Sequence, residues 1–153
     1  MTVQNLRLVR ISEAADWAAY HQLRRKVLFE DKGLMGVYDE NRSEEYSNGK
    51  HSLLLKADDM GVGTTRLDDL FDGTAIVRLV AIAADRQRQG LGRTLGAFVE
   101  DYARDLGVVE LKVNAAPDAI DFYRKTGWQV SPWNPDELVG IAATAVQMRK
   151  RVV

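Results

Sequence analysis

The chain has 153 residues, 46% of them hydrophobic and 28% charged, a balance typical of one globular domain over 1–153 rather than of a disordered or fibrous chain. The formal net charge of −1 argues against a nucleic-acid partner or an anionic membrane surface. The lack of cysteine excludes disulfides, thiolate zinc sites and a cysteine nucleophile, and two histidines without paired spacing predict no metal site.

The first half of the chain predicts one helix and four strands. Residues 6–11 alternate apolar side chains with arginines, which favours a strand, and apolar residues recur at helical spacing over 17–28. A polar, glycine-containing loop is expected over 31–49. Three turn-linked strands follow at 51–56, 62–67 and 74–83. The last of these is apolar enough to be buried on both faces of a sheet.

The second half predicts helices and strands in alternation. We expect a helix over 91–106, a strand over 108–113, a helix from Pro117 to Gly127, and closing strands at 128–130 and 141–149. The helix between the strands at 74–83 and 108–113 implies a right-handed crossover and a parallel pair, whereas turn-linked strands should be antiparallel. The predicted fold is therefore α/β, with a mixed sheet of about seven strands flanked by helices.

The compartment is predicted from what the chain lacks. No apolar run approaches the roughly 18 residues of a membrane span. The first residues also lack the charged and apolar regions of a signal peptide. We therefore expect a cytoplasmic protein without a membrane partner.

A glycine- and arginine-rich stretch between the third of these strands and its helix has the composition of an anion site. Gly90 and Gly92 stand where a helix begins, and the N–H groups of a helix N-terminus hold phosphates when no Cβ blocks the approach. Arg86, Arg88 and Arg93 add positive charge. A plain strand-to-helix turn with solvated arginines is the alternative.

Three phosphate-binding patterns compete for this stretch. A P-loop needs a Gly-Lys-Ser/Thr ending, which is missing. The dinucleotide fingerprint fits at Gly90 and Gly92, but its third glycine position is Leu95, and the chain has a single crossover unit. The pattern Gln/Arg-x-x-Gly-x-Gly/Ala is matched by residues 87–92.

A second motif follows about twenty residues later. Residues 111–128 read LKVNAAPDAIDFYRKTGW, in which Ala119, Tyr123, Gly127 and Trp128 fit a helix pattern Ala-x-x-x-Tyr-x-x-x-Gly-Phe/Trp. Together with the turn at 87–92, this stretch resembles the GNAT superfamily of N-acetyltransferases. Residues 23–30 and the strand at 62–67 resemble one branch of that superfamily, so the similarity covers roughly 20–150.

The resemblance implies an acyl-CoA N-acyltransferase fold, in which the parallel strands at 78–83 and 108–113 splay apart around acetyl-CoA. It implies transfer of an acetyl group to a primary amine of a small molecule or peptide. Backbone groups of the third strand would pair with the pantetheine arm, N–H groups of the turn would hold the pyrophosphate, and Asn114 would lie near the pantetheine exit. The implied cofactor-binding residues are Val80, Ala81, Ile82, Gln87, Arg88, Gln89, Gly90, Leu91, Gly92, Arg93, Thr94 and Asn114.

The resemblance also implies catalytic roles. Tyr123 would lie near the thioester sulfur, where a phenol can protonate the departing thiolate. The strand at 74–83 carries no carboxylate, so the general base is sought at Glu30 or His51. For each of these residues a purely structural role is the alternative. An acidic loop at 31–45 either attracts a cationic amine or is simply solvated.

Several alternatives stay open from the sequence. A non-catalytic acyl-CoA-binding or sensing domain would keep the phosphate turn and lack a base. A nucleotide-binding domain of another kind and a transferase for a longer acyl chain are further readings. The acceptor is unspecified, no nucleic acid is expected, and a homodimer is compatible with the family.

Overall fold

A computed structural model describes residues 5–36 and 38–153, which form a seven-stranded mixed sheet with helices on both faces. The strands are β1 (Leu6–Arg10), β2 (Lys50–Ala57), β3 (Met60–Asp69), β4 (Thr74–Ile82), β5 (Glu110–Ala115), β6 (Gln129–Val130) and β7 (Val146–Arg151). The α-helices are α1 (Ala14–Arg24), α2 (Leu91–Asp105) and α3 (Ile120–Lys125). Across the sheet the order is β1-β2-β3-β4-β5-β7-β6. The predicted fold class and element order are confirmed.

The pairing of β4 with β5 is parallel and short, whereas the other neighbours pair antiparallel. It runs from Thr74–Glu110 to Val77–Val113, although β4 continues to Ile82. The two strands therefore part beyond Val77 and Val113, as the resemblance implies. The gap begins later on β5 than predicted, because residues 110–113 belong to the paired part.

A β-bulge lies in β4 next to the gap. Thr64 pairs with Ala81 and Arg66 with Arg78, so Leu79 and Val80 together lie opposite one residue of β3. Leu79 has φ 54°, a left-handed conformation that is unusual for a leucine. The bulge shifts the alternation of side chains, so that Val77 and Val80 both point towards one cavity.

Two cores cover the two faces of the sheet, which we call the α2 face and the α1 face. The larger core lies on the α2 face, where α2 buries Leu91, Leu95, Val99 and Ala103 at a spacing of four residues. Burying one such leucine is worth roughly 1.5–3 kcal/mol. On the α1 face, α1 packs Tyr20 and its neighbours on Leu54 and Ile11.

Three predicted elements differ from the structure. The closing strand predicted at 141–149 begins only at Val146, because the alanine-rich residues before it form a 3₁₀ turn, Gly140–Ala142, with Ile141 exposed. The helix predicted to start at Pro117 begins as a 3₁₀ turn, Pro117–Ala119, before α3. The first helix continues past α1 through a π-helical turn, Arg25–Phe29. None of the described helices has the length and apolar character needed to cross a membrane.

Candidate active site

The glycine-rich turn is a helix N-terminus with unused donors. Gly90 is the N-cap of α2 with φ 79°, a conformation that favours glycine. Within the described residues, the N–H groups of Leu91, Gly92 and Arg93 donate to no protein acceptor. Arg88 is also left-handed at φ 65°, the kind of backbone strain that clusters at binding sites. The turn therefore combines a helix N-terminus with free N–H donors, the features that favour an anion.

The Gln87 side chain fastens this turn to the end of β4, and the Gln89 side chain braces the segment before the turn. Gln87 Nε2 donates to the Ile82 carbonyl at 3.1 Å, and Gln89 Nε2 donates to the Asp85 carbonyl at 3.4 Å. The side chain of Arg88 makes no hydrogen bond or ion pair with the described residues. The sequence placed these residues in a phosphate turn, and the structure places them at one helix end.

A cavity of about 450 Å³ opens between the sheet, α2 and α3, on the α2 face. Its lining is mostly apolar and comes from the sheet (Thr65, Val77, Val80, Leu111), from α2 (Gly92, Leu95, Gly96, Val99) and from α3 and the residues after it (Phe122, Tyr123, Trp128). The Lys150–Glu100 ion pair also borders the cavity, with 2.9 Å between Nζ and Oε2. The cavity therefore joins the start of α2 to the side of β4 that β5 leaves.

Tyr123 lines this cavity with an unpaired hydroxyl. Its ring packs edge-on against Phe122 and Trp128, at centroid distances of 5.4 Å in both cases. No hydrogen bond to the hydroxyl exists within residues 5–36 and 38–153. Burial raises the pKa of Tyr123 to about 12, so the phenol keeps its proton at neutral pH and remains available as a donor.

On the opposite, α1 face, Glu137 bridges the two strands where they part. Its Oε1 accepts from Arg78 Nη1 at 2.7 Å and from Asn114 Nδ2 at 3.3 Å. Arg78 and Asn114 are the first residues of β4 and β5 beyond the last pair, Val77–Val113. The hydrogen bond from Arg78 holds the pKa of Glu137 below its usual value, so this carboxylate is ionised at neutral pH.

Asp68 anchors the arginines behind this bridge. It accepts from Arg78 Nε at 2.7 Å, from Arg66 Nε at 2.7 Å and from Lys50 Nζ at 3.0 Å. Burial alone would raise the pKa of Asp68, but the hydrogen bonds and charge of Arg66 outweigh it and lower the pKa. Lys50, Arg66 and Arg78 thus share one carboxylate and form part of a row of ion pairs on the α1 face, which we call the ion-paired row.

Glu45 continues the row towards α1. Its carboxylate accepts from the Tyr20 hydroxyl at 2.8 Å, the Ser52 hydroxyl at 2.7 Å, Arg24 Nη1 at 2.6 Å and Arg66 Nη1 at 3.4 Å. Glu45 is buried, so this member of the acidic loop is a structural anchor and not part of a solvated surface.

Gln147 of β7 holds the loop that carries Glu137. Gln147 Oε1 accepts from the N–H groups of Trp133 and Asn134 at 2.8 and 2.9 Å. Its Nε2 donates to the Asn134 carbonyl at 2.6 Å and to Asn114 Oδ1 at 3.1 Å. Trp133 Nε1 donates to the Val113 carbonyl at 3.1 Å, which places the indole beside the gap. Residue 137 is thus held by a fixed loop.

The structure does not gather the three predicted catalytic side chains into one cavity. His51 is buried on β2, where its Nδ1 lies 2.7 Å from the Tyr102 hydroxyl of α2, and β3 and β4 lie between its strand and β5. Burial lowers the pKa of His51. Glu30 begins a 3₁₀ turn after α1, and among the described residues its carboxylate makes no hydrogen bond. Neither lines the cavity beside Tyr123.

The predicted cofactor residues lie along β4, the turn and β5. Val80 lines the cavity, while Ala81 and Ile82 pair with β3 on one side and have no β5 partner on the other. Thr94 closes the first turn of α2, donating from its N–H and its hydroxyl to the Gly90 carbonyl at 3.1 Å each. Asn114 lies on the α1 face, in the Glu137 bridge.

Sequence reasoning missed Glu137, Asp68 and Gln147. The one local signal for Glu137 is the turn Asn134–Pro135–Asp136, in which Asn134 Oδ1 accepts from the Asp136 N–H at 3.1 Å. Asp68 and Gln147 lie in strands whose pattern gives no sign of a shared site. No group of three or more metal-ligating side chains comes together in the described part of the chain.

Comparison with known proteins supports this geometry. A curated Bacillus subtilis (strain 168) protein, the uncharacterised YyaT, is 23% identical over 126 residues, covering 82% of this chain and 84% of that protein. An acyl-CoA N-acyltransferase from Pseudomonas aeruginosa has the same fold, with a TM-score of 0.78, 18% identity and coverage of 97% and 99% of the two chains. So does the PaiA N-acetyltransferase of Thermoplasma acidophilum in complex with coenzyme A, with a TM-score of 0.71, 16% identity and coverage of 96% and 99%.

A family model decides the relationship. The model for the acetyltransferase (GNAT) domain matches residues 31–152, which include the splayed pair, the glycine-rich turn, α3 and the loop of Glu137. With the seven-stranded sheet and its parting parallel strands, this match shows that the chain belongs to the GNAT acetyltransferase family.

Proposed function

We propose that the protein transfers the acetyl group of acetyl-CoA to a primary amine by direct attack. One observation carries the proposal: an apolar cavity connects a helix N-terminus with unused N–H donors to the gap between β4 and β5, beside the protonated phenol of Tyr123. The structure of a relative with bound coenzyme A supports the choice of donor.

The acyl donor binds on the α2 face of the gap, and the amine binds on the α1 face. The diphosphate binds at the start of α2, and the acyl arm follows β4, whose Val80 and Ile82 lack a β5 partner and offer backbone groups for added-strand pairing. The amine enters from the α1 face and forms the new C–N bond as the C–S bond breaks. The bound ammonium group loses one proton to water before it attacks, and the amide nitrogen loses a second proton to water on the Glu137 side. The thiolate takes a proton from Tyr123, which water then reprotonates.

Glu137 is the carboxylate that we assign to the amine side. It sits on the edge of the gap, whereas Glu30 and His51 have no contact that ties them to the cavity and remain predictions for the base. Because the pKa of Glu137 is lowered, its first task is to hold the ammonium form of the acceptor.

Calorimetric titration with acetyl-CoA tests the donor site. Gly90→Val places a side chain where the diphosphate would bind, and Gly107→Val is its matched control at the other end of α2. Both glycines have positive φ, at +79° and +86°, and an added Cβ meets no protein atom within 4 Å at either. Both variants should therefore lose similar stability, measured as Tm.

The expected result is micromolar affinity in the native protein and in Gly107→Val, and at least tenfold weaker binding in Gly90→Val. Equal affinity of the two variants for acetyl-CoA would contradict a phosphate site at the start of α2. NAD should not bind. Binding of acetyl-CoA without release of free thiol for any amine would instead favour a non-catalytic acyl-CoA-binding domain.

A further inference from the structure

We propose that the acceptor is an α-amino acid, with its carboxylate on Arg78 and its amino group on Glu137. This inference names the substrate of the transferase proposed above and rests on that function. It comes from the placement of one cation and one anion side by side on the α1 edge of the gap.

Arg78 and Glu137 each keep an unused polar atom. Arg78 donates through Nε to Asp68 and through Nη1 to Glu137, and its Nη2 has no partner in the described residues. Glu137 uses Oε1 for Arg78 and Asn114, and within the same residues its Oε2 accepts nothing. The two side chains are 24% and 25% exposed, so a small ligand can reach both.

This spacing matches an α-amino acid. Its carboxylate and ammonium groups are separated by a single carbon, and the guanidinium and carboxylate of the pair are neighbours at 2.7 Å. A guanidinium binds a carboxylate through charge-assisted hydrogen bonds, and a carboxylate binds an ammonium in the same way. An α-amino acid offers a carboxylate for Arg78 Nη2 and an ammonium group for Glu137 Oε2, the two atoms without a partner in the described residues.

The charge around the pair argues against a polyamine. The ion-paired row on the α1 face is balanced between four cations and four carboxylates, namely Arg24, Lys50, Arg66 and Arg78 with Glu44, Glu45, Asp68 and Glu137. A polyamine would place further positive charge beside Arg78, which costs Coulomb energy in a partly buried site. A zwitterion adds no net charge.

Both members of the pair are fixed before any ligand arrives. Asp68 is buried and holds Arg78 from the β3 side, and both ends of the Gln147 amide hydrogen-bond to the main chain of the loop that carries Glu137. A preformed pair loses little side-chain entropy on binding, so its contacts favour affinity and orientation.

The test compares each of the twenty amino acids with its carboxamide, its decarboxylated amine and spermidine, by release of CoA thiol at saturating acetyl-CoA. At least one amino acid should be acetylated. Its carboxamide should have a kcat/KM about ten- to a hundredfold lower, because it lacks the charge that Arg78 binds. Arg78→Gln should lower kcat/KM for the amino acid more than for its amide, so that the preference for the carboxylate falls towards one.

Controls separate recognition from folding. Arg7→Gln removes an exposed arginine on β1 and should keep the full preference for the carboxylate. If Arg78→Gln does not fold, Arg78→Lys keeps the positive charge but presents one nitrogen, and it should still lower kcat/KM for the amino acid more than for the amide.

Equal kcat/KM values for acid and amide in the native protein would overturn the inference. Turnover of spermidine or simple amines without turnover of any amino acid would also overturn it. So would a complete lack of thiol release with every acceptor in the panel. In all of these cases acetyl-CoA still binds and the donor site stands. Failure of acetyl-CoA to bind overturns both the transferase proposal and this inference.

Discussion

The two faces of the gap between β4 and β5 are built in opposite ways. On the α2 face, an apolar cavity of about 450 Å³ is bordered by helix backbone and rings, and the Tyr123 hydroxyl has no partner among the described residues. On the α1 face, a continuous row of ion pairs runs from Arg24 to Glu137. One side keeps space open, and the other fills it with paired charge.

The difference reflects what each side would receive. A long, flexible acyl arm gains from an apolar channel and from backbone donors, which need little from individual side chains. A small acceptor needs fixed charges that set its orientation, and such charges are stable in a protein only when their partners neutralise them. The tests that follow disturb the two faces separately, from the largest expected effect to the smallest.

Removing Glu45 should destabilise the protein most. Glu45→Ala leaves the Arg24 guanidinium buried without its carboxylate partner, a loss that typically costs about 3–5 kcal/mol of unfolding free energy. Urea denaturation measures it. Glu44→Ala removes a carboxylate that is 57% exposed and should cost less than about 1 kcal/mol. Similar losses in both variants would contradict the buried anchor.

Removing the Tyr123 hydroxyl should affect turnover and not stability. Tyr123→Phe should lower kcat by about a hundredfold, because the thiolate loses its proton donor, while acetyl-CoA affinity stays the same. The unfolding free energy should change by less than about 1 kcal/mol, since the hydroxyl has no partner among the described residues. Because the pKa of Tyr123 is raised to about 12, no loss of rate at pH 8–10 should come from this group.

Tyr102→Phe is the matched control. It removes a hydroxyl that bonds to His51 at 2.7 Å, so it should cost about 1 kcal/mol of stability and leave kcat unchanged. An unchanged kcat in Tyr123→Phe would exclude the phenol as proton donor. A large fall in kcat for Tyr102→Phe would instead support His51, its hydrogen-bond partner, as the base.

The smallest expected effect is in the acid range. The folded-state pKa of Glu137 is depressed by the Arg78 hydrogen bond, so its contribution to stability is fully present above its unfolded value of about 4.5 and is lost as the pH falls through the folded pKa. The native protein should therefore lose this contribution below pH 4.5. Glu137→Gln should show a shallower decline there, measured by urea denaturation at several pH values, and the exposed Glu13→Gln should follow the native curve.

Sequence reasoning predicted the α2 face far better than the α1 face, because the signals on the α2 face are local in the chain. The glycines at 90 and 92 and the tyrosine at 123 belong to short motifs within single elements, and periodicity placed those elements correctly. The row on the α1 face has Arg24 at one end and Glu137 at the other, and residues so far apart in the chain join one row only once the sheet has formed.

Sequence patterns also failed to predict the start of β7 and the bulge in β4. Residues 141–145 look apolar enough for a strand, but alanines bury little surface, and the segment turns instead of pairing. The bulge at Leu79 contains no glycine, which is the usual sequence signal for a left-handed residue in a strand. The sequence therefore could not show that Val77 and Val80 line the same cavity. Its position depends on the register with β3, which is a tertiary property.

The hydrogen bonds of Gln147 bear on which residues of the loop after β6 can be substituted during evolution. Its hydrogen bonds to the loop go to the main chain, at Trp133 and Asn134, so they do not depend on the side chains that follow. Exposed residues of this segment, such as Asp136 and Val139, can therefore change in charge and size while the segment keeps its place beside β7. Glu137 is different, because it is paired with Arg78, so new acceptor preferences are expected to arise from substitutions around it.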